Sequence, residues 1–397
     1  MPVSTSYSTP VIMKIGLYDP YLNTLGGGER YVLTVAEYLL SWGHQVDLFW
    51  SGPTDLIAKA AARFNLNLTN LSLVEDIFHS APNRLELIEE FSTHHQSVLP
   101  DSLITHLRQF FKKVFITSGY DLIFYLSDGS LPFLFSRQKL IHFQVPFILP
   151  LSPKTRLLNR LKLLGHTTLV INSNFTAGFI KNTFPAHLAV VYPPVDIDKF
   201  SPATKENVIL SVGRFDNILN AKRQDVLIDI FAHLTTHHPN LSWKLVLAGG
   251  SVDDPQKNSY LKLLHQKATG LNVEFLVNPD FDTLTNLYSH SAIYWHAAGF
   301  EVNQETHPQN TEHFGIVVVE AMASGCVPIV VNAGGLPEIV KHGTNGYLWS
   351  SVSEASDLTY NLISNPELQE QLRSNALSTC HKFSKQVFIQ SFSQLIK

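Results

Sequence analysis

MKIGLYDPYLNTLGGGERYVLTVAEYLLSWGHQVDLFW, residues 13–50, is the stretch whose reading decides the fold. Met13–Tyr18 is a short, mostly apolar run of strand length. Gly26–Gly28 follows, and Val32, Val35, Ala36 and Leu39 then recur at helical spacing through Tyr31–Trp42. Gln45–Trp50 returns as a second strand. Strand, glycine-rich turn, helix, strand is the repeating unit of a parallel sheet covered on both faces. Downstream, Asp121–Leu126, Lys139–Phe143 and Leu169–Asn172 are further strands. Residues 65–115 are less regular, with helical pieces such as Leu103–Phe111. Tyr192-Pro193-Pro194-Val195-Asp196 and Lys199–Glu206 form a Pro-rich, polar break. The alternation then restarts. Strands are predicted at Val208–Val212, Lys244–Ala248, Val273–Leu276, Ala292–Trp295 and Val327–Val331. Helices are predicted at Gln224–Thr236, Ser259–Lys267, Thr283–Ser289 and Gly315–Ala323. The fold class is therefore α/β: two Rossmann-like, doubly wound domains, 1–195 and 196–382, facing each other across a cleft. A terminal helix at about 383–397 is expected to pack back on the first domain.

A chain of 397 residues is too long for one compact core. With 45 % hydrophobic and 16 % charged residues it is not disordered. A formal net charge of −4 excludes a nucleic-acid binder held by bulk charge. Two distant cysteines, Cys326 and Cys380, exclude a disulfide framework and suggest a reducing, cytoplasmic compartment. The first twelve residues lack a signal-peptide pattern, so the Asn-x-Ser/Thr triplets at Asn67, Asn70, Asn174 and Asn240 read as chance. The longest apolar stretch, Phe314–Val331, is interrupted by Glu320, Gly325 and Pro328, so any membrane contact is expected to be peripheral. Residues 153–164, PKTRLLNRLKLL, are the candidate for it. Leu157, Leu158, Leu161 and Leu164 make one helical stripe beside Lys154, Arg156, Arg160 and Lys162. Such a helix can lie in a lipid headgroup layer, on the cytoplasmic face of a membrane. Equally, its leucines can pack on the first sheet.

The strongest chemical signal is Glu312-His313-Phe314-Gly315-Ile316-Val317-Val318-Val319-Glu320. Glu312 precedes a helix start whose free amides favour an anion, and Glu320 follows on its second turn. Two carboxylates flanking an anion site suit a ligand with two hydroxylated rings joined by a diphosphate. The alternative is a helix capped by acidic residues with Glu320 solvated. Gly213-Arg214-Phe215 follows the first strand of the second half, and Lys222-Arg223 opens the next helix. Either these cations neutralise a diphosphate or the loop is ordinary surface. Gly26–Gly28 fails the dinucleotide fingerprint, since Tyr31 stands where a third glycine is required. Its glycines either offer amides to phosphate or sugar or simply make a tight turn. His142 ends a strand and is expected to face the cleft, although a lone histidine is more commonly structural. Asp196-Ile197-Asp198 and Asp280-Phe281-Asp282 could hold a divalent ion, but so short a pattern, occurring twice, is more simply chance.

Taken together, EHFGIVVVE with AMASGCVPIVVNAGGLPEIV (321–340), GGGERYVLTVAEYL (26–39), VINSNFTAGFI (170–180), VYPPVDIDKF (191–200) and SVGRF (211–215) resemble the retaining nucleotide-sugar glycosyltransferases of family four, of the GT-B fold. GRFD and KRQDVLI with EHFGIVVVE are also similar to the dolichol-linked α-1,2-mannosyltransferases of the N-glycan pathway. The resemblance implies a retaining hexosyltransferase, leaning to mannose, with an acceptor-side first domain and a donor-binding second domain. It implies a glycan or lipid-linked acceptor and no metal or other cofactor. It implies that Glu312 contacts donor sugar hydroxyls and Glu320 the ribose, and that Arg214 and Lys222 grip the diphosphate. Phe314, Gly315 and Ile316 would offer backbone contacts. Gly27 and Gly28 would approach the reaction centre, and His142 would lie near the transferred sugar. The eight positions from Arg214 to Lys222 exceed the family's usual spacing, through an apparent insertion at Asn217–Ala221, so Lys222 and Arg223 are both candidates. A nucleotide-sugar epimerase or hydrolase of the same architecture, or a sugar-binding protein with two lobes, are the competing expectations.

Overall fold

The structure is a computed structural model that describes residues 12–78, 103–148, 151–216, 221–251 and 258–396. The reading of residues 1–11, and of the insertion up to residue 220, lies outside them. Two sheets account for the fold. The first has β1 (Lys14–Tyr18), β2 (Gln45–Phe49), β3 (Ser72–Val74), β4 (Leu122–Leu126), β5 (Gln138–Phe143), β6 (His166–Ile171) and β7 (His187–Val190). Their order is β3-β2-β1-β4-β5-β6-β7. Every neighbouring pair is parallel. The second has β8 (Glu206–Val212), β9 (Lys244–Gly249), β10 (Val273–Val277), β11 (Ser291–His296), β12 (Val327–Val331) and β13 (Tyr347–Trp349). It runs β10-β9-β8-β11-β12-β13, again all parallel.

The strands are apolar on both faces because helices cover both. β4 reads LIFYL and is buried throughout. Each strand order reverses once, between β1 and β4 and between β8 and β11. The crevice outside the strand carboxyl ends at such a reversal is where these sheets receive ligands. The loops after β1 and β8 carry the glycine run and Gly213-Arg214 respectively.

Two cores sandwich the first sheet. One is built on helix Gly27–Ser41 and also takes in Phe388 and Phe392 of the last helix, Lys385–Ser393. The other takes Ile180 from helix Asn174–Thr183. A single larger core serves the second sheet. The chain passes between the lobes twice, and the crossings lie side by side. Val195 bridges Ser384, its N–H donates to the Phe383 carbonyl at 3.1 Å, and its carbonyl accepts from Lys385 N–H at 3.1 Å. Glu338 adds a polar clasp. Its carboxylate accepts from the Asn174 and Phe175 N–H groups at 2.8 and 2.7 Å, at the start of helix Asn174–Thr183, and from Tyr192 Oη at 2.9 Å. Among the described residues, no helix is long and apolar enough to cross a membrane.

Candidate functional site

Helix Ile316–Ala323 starts at Gly315, whose φ of 111° is left-handed, and no side chain caps it. Glycine is required there on two counts. The backbone conformation disfavours any L side chain, and a Cβ would come 2.9 Å from Leu336 Cδ2. The preceding residue, Phe314, is buried and anchors the turn between the rings of Tyr192 and Phe383, each 5.4 Å away centroid to centroid. The helix start is thus fixed from behind and left with uncapped amides in front, the arrangement that attracts an anion.

Glu312 sits just ahead of this start. Its Oε2 accepts from Lys222 Nζ at 2.6 Å and from His296 Nε2 at 3.1 Å. His296 Nδ1 accepts the Ala298 N–H at 3.3 Å, which places the imidazole proton on Nε2. Lys222 comes from the loop after β8 and His296 from the end of β11, so the cluster stands at the point where the strand order reverses. Burial pushes the Glu312 carboxyl up, but Lys222 and His296 outweigh it and hold the group well below its ordinary value. Burial conversely lowers His296 against the pull of Glu312. The ground state is a buried carboxylate, a lysine ammonium and a neutral histidine.

Glu320 has the opposite electrostatics. Burial raises its pKa, and Arg30 only partly offsets this. Its Oε1 lies 3.5 Å from Arg30 Nη1, and its Oε2 accepts from Tyr288 Oη at 3.3 Å. Arg30 belongs to the first lobe, one turn after the glycine run, and also pairs with Asp196 at 3.0 Å. A Cβ at Gly27 would meet Ile316 Cδ1 at 3.3 Å. The starts of helices Gly27–Ser41 and Ile316–Ala323 therefore confront each other in register, Gly27 against Ile316 and Arg30 against Glu320.

The glycine run is not a left-handed turn. Gly26 is the extended N-cap of the first helix, and Gly27 and Gly28 form its first turn. Glu29 closes that turn, its Oε2 accepting from Gly26 N–H and from Thr24 Oγ1 at 2.8 Å. Close approach explains the small residues: a Cβ on Gly28 would lie 2.6 Å from Gln144 Oε1.

The structure brings Glu312, Lys222, Phe314, Gly315, Ile316 and Glu320 together, with Gly27 opposite Ile316 and Gly28 packed against Gln144. Arg214 stands at the rim, mostly exposed, with Asp216 at 3.5 Å. Arg223 is turned away, bonded to Asp225 at 3.2 Å and to the Phe300 carbonyl at 3.1 Å. Of the two candidate cations, only Lys222 meets Glu312. The expectation that His142 faces the cleft needs correcting. Its ring is fully buried, stacked 4.0 Å from Tyr31 and 5.6 Å from Phe124, with Nδ1 bonded to the Val170 carbonyl at 2.9 Å. Alternation along β5 turns residue 142 into the sheet face. Gln144, just past the strand, is the side chain that reaches the glycine run, and its Nε2 is buried without a hydrogen-bond partner. Both Asp-x-Asp segments have structural employment: Asp196 pairs with Arg30 and Lys199, and Asp280 caps helix Phe281–His290 through Thr283 N–H at 2.8 Å.

Sequence reading missed His296, Arg30 and Gln144. The strand-end criterion that singled out His142 applies equally to His296, in YWHAAG. Arg30 lies two residues after the glycine run, but only tertiary structure gives it a partner 290 residues away.

Residues 194–379 match the family described as Glycosyl transferases group 1. A GDP-Man:Man(3)GlcNAc(2)-PP-Dol alpha-1,2-mannosyltransferase of Dictyostelium discoideum is 30 % identical over 250 residues, 58 % of this chain and 46 % of that protein. The Homo sapiens protein of the same name is 25 % identical across 98 % of this chain and 88 % of its own length. An Alpha-1,3/1,6-mannosyltransferase of Rhizomucor pusillus is 30 % identical over 46 % of each chain. Matches to the first relatives span about half of those proteins' length. Among solved structures, a glycosyltransferase from Rickettsia africae superposes with a TM-score of 0.71 over 98 % of both chains, at 17 % identity. Anabaena HepE, in complex with UDP and glucose, gives 0.67 over 96 % of this chain and 98 % of its own, at 20 % identity. The two facing parallel-sheet lobes are thus the GT-B fold, and residues 194–379 of this chain match the group 1 glycosyl transferases and are similar to dolichol-linked mannosyltransferases.

Proposed function

We propose that this protein is a retaining hexosyltransferase that moves mannose, from a nucleoside diphosphate sugar, to a glycan or lipid-linked acceptor on the cytoplasmic side. The observation that carries the reading is the Lys222–Glu312–His296 cluster beside the uncapped start of helix Ile316–Ala323, whose first residue meets Gly27 of the other lobe. The similarity to GDP-Man:Man(3)GlcNAc(2)-PP-Dol mannosyltransferases suggests the mannosyl donor and the lipid-linked acceptor.

The chemistry follows from charge. As the glycosidic bond to the diphosphate breaks, negative charge grows on the leaving phosphate. Lys222 has three donors and spends one on Glu312, leaving others for a phosphate oxygen. Arg214 swings in from the rim, and the amides of Ile316 and Val317 complete the cradle. Glu312, fixed by Lys222 and His296, accepts from sugar hydroxyls. Glu320 and Arg30 take the ribose end. Among the described residues, the carboxylate nearest the sugar, Glu312, is engaged by Lys222 and His296 rather than free for double displacement, so retention is assigned to the front face, with the departing phosphate oxygen receiving the acceptor proton. The cations supply the charge a divalent ion would bring, so excess EDTA is expected to leave turnover unchanged. Loss of activity restored by Mn²⁺ or Mg²⁺ would reject that part.

A donor panel of GDP- and UDP-hexoses, each scored with and without glycan acceptor, tests the whole reading. Acceptor-dependent release of nucleoside diphosphate from GDP-mannose is expected. Acceptor-independent turnover would instead identify a hydrolase or epimerase, and donor binding without turnover a sugar-binding protein.

A further inference from the structure

Helix Pro153–Lys162 lies on the first lobe with its polarity reversed. Asn159 is buried, whereas Leu157, Leu158 and Leu161, with Leu164 just beyond, are 39–62 % exposed. The leucines do not pack on the sheet. Helix Leu103–Ser118 shows the same reversal: Leu107, Phe110, Phe111 and Phe115 form one stripe, Phe111 and Phe115 being 64 and 82 % exposed. The two helices are joined through the segment between β4 and β5. Phe110 lies 5.7 Å from Phe133 and 6.0 Å from Phe135, while Lys162 Nζ stands 5.1 Å over the Phe133 ring and donates to the Leu131 carbonyl. The result is one composite apolar face. Exposed apolar area on this scale marks an interaction surface.

Charge says what covers it. The two helices carry Arg108, Lys112, Lys113, Lys154, Arg156, Arg160 and Lys162, seven of the chain's 29 cations, and none of its 33 carboxylates. Among the described residues, Lys112 alone of these seven forms an ion pair with a carboxylate, Glu75 at 2.6 Å. A second copy docked on the same face would set these cations against their own likeness. An anionic lipid surface satisfies both halves: leucine and phenylalanine enter the acyl boundary while Arg and Lys stems reach the headgroups.

We propose that helices Leu103–Ser118 and Pro153–Lys162 together dock this protein on anionic membranes. This deepens the lipid-linked half of the proposed function. The test is co-sedimentation of the full chain with vesicles of phosphatidylcholine plus phosphatidylserine, against phosphatidylcholine alone, at low and high salt. Binding to the anionic vesicles, weakened by salt, is expected. Removing two cations by Arg156→Gln with Arg160→Gln should lower the partition coefficient about thirtyfold. Phe111→Ser with Phe115→Ser should remove the binding that survives high salt. These positions are exposed, so folding should be retained, and circular dichroism verifies it. Absence of binding by folded protein, binding that neither pair of changes reduces, or a dimer that the phenylalanine changes dissociate without any vesicle binding would each overturn the proposal. Donor turnover with a water-soluble acceptor, measured on the same samples, separates this from the catalytic reading: docking without turnover would reject the latter and leave the former standing.

Discussion

Glu312 and Glu320 lie eight positions apart, yet the protein holds one as a deep-set anion and raises the pKa of the other. The sequence spacing flagged the pair. It could not show this difference, because Lys222, His296 and Arg30 arrive from three other elements. The proposed roles separate kinetically. Glu312→Ala should mainly lower kcat and Glu320→Ala mainly raise KM for the donor, each by roughly tenfold to a hundredfold, the worth of hydrogen bonds to a charged group. Wild-type donor kinetics in both would reject the site. Gln144, with its unpartnered Nε2 against Gly28, is expected to contact the reacting sugars, so Gln144→Ala should impair turnover while leaving Tm near wild type. His142 also bears on stability. Burial lowers its pKa from 6.5 to about 3, so the unfolded chain takes up a proton in acid that the folded chain refuses. Its contribution is therefore complete above pH 6.5 and falls as pH drops towards 3, with about 2 kcal/mol lost by pH 5. Urea unfolding at pH 7.5 and 5 should show His142→Phe losing less on acidification than wild type by that amount, and an unchanged difference would contradict the assignment.

The elements of the ligand-facing edge were the legible ones. Helix Ser259–Lys267 and strand Val327–Val331 fall where the periodicity places them. Helix Gly27–Ser41 begins four residues earlier than its apolar pattern suggested, inside the glycines, because Glu29 closes the first turn that glycine alone would leave loose. Edge strands Ser72–Val74 and Tyr347–Trp349 are only three residues long and too short to show a pattern. In helix Asp55–Phe64 the small-residue run AKAAA carries no legible apolar period. For the helix at residues 153–164, leucine spacing is equally compatible with a lipid-facing and a sheet-packed arrangement. Its exposed leucines exclude the second arrangement. At this scale Glu338 makes the sharpest test. A second-lobe carboxylate caps a first-lobe helix, so Glu338→Ala removes charge-assisted bonds to Asn174 and Phe175 and uncovers a helix start. A loss of about 1–3 kcal/mol in urea unfolding is expected, with Glu338→Gln losing less. Equal stability of all three proteins would show that the clasp contributes nothing.

At the scale of the molecule, the alternation of strands and helices revealed two parallel sheets. The docking of the chain's end on its beginning rests on Phe388 and Phe392, which meet Tyr31 at 4.9 Å and Phe124 at 5.6 Å. Deleting residues 385–397 should therefore unfold the first lobe rather than trim the second. Buried Phe→Ala changes alone cost ~3–5 kcal/mol each. Limited proteolysis of the truncated chain should leave a second-lobe fragment. The paired crossing at Val195 and Ser384 also makes the lobes unequal partners, since both ends of the described chain belong to the first and residues 196–382 are an insertion within it. The insertion is a cassette. Joining Val195 to Ser384 through a few glycines, across two segments already hydrogen-bonded to each other, should give a miniature protein that retains the first sheet, both of its cores and the helices with exposed leucine and phenylalanine. Grafting a homologous cassette at the same two points should carry donor preference with it while leaving the choice of acceptor behind.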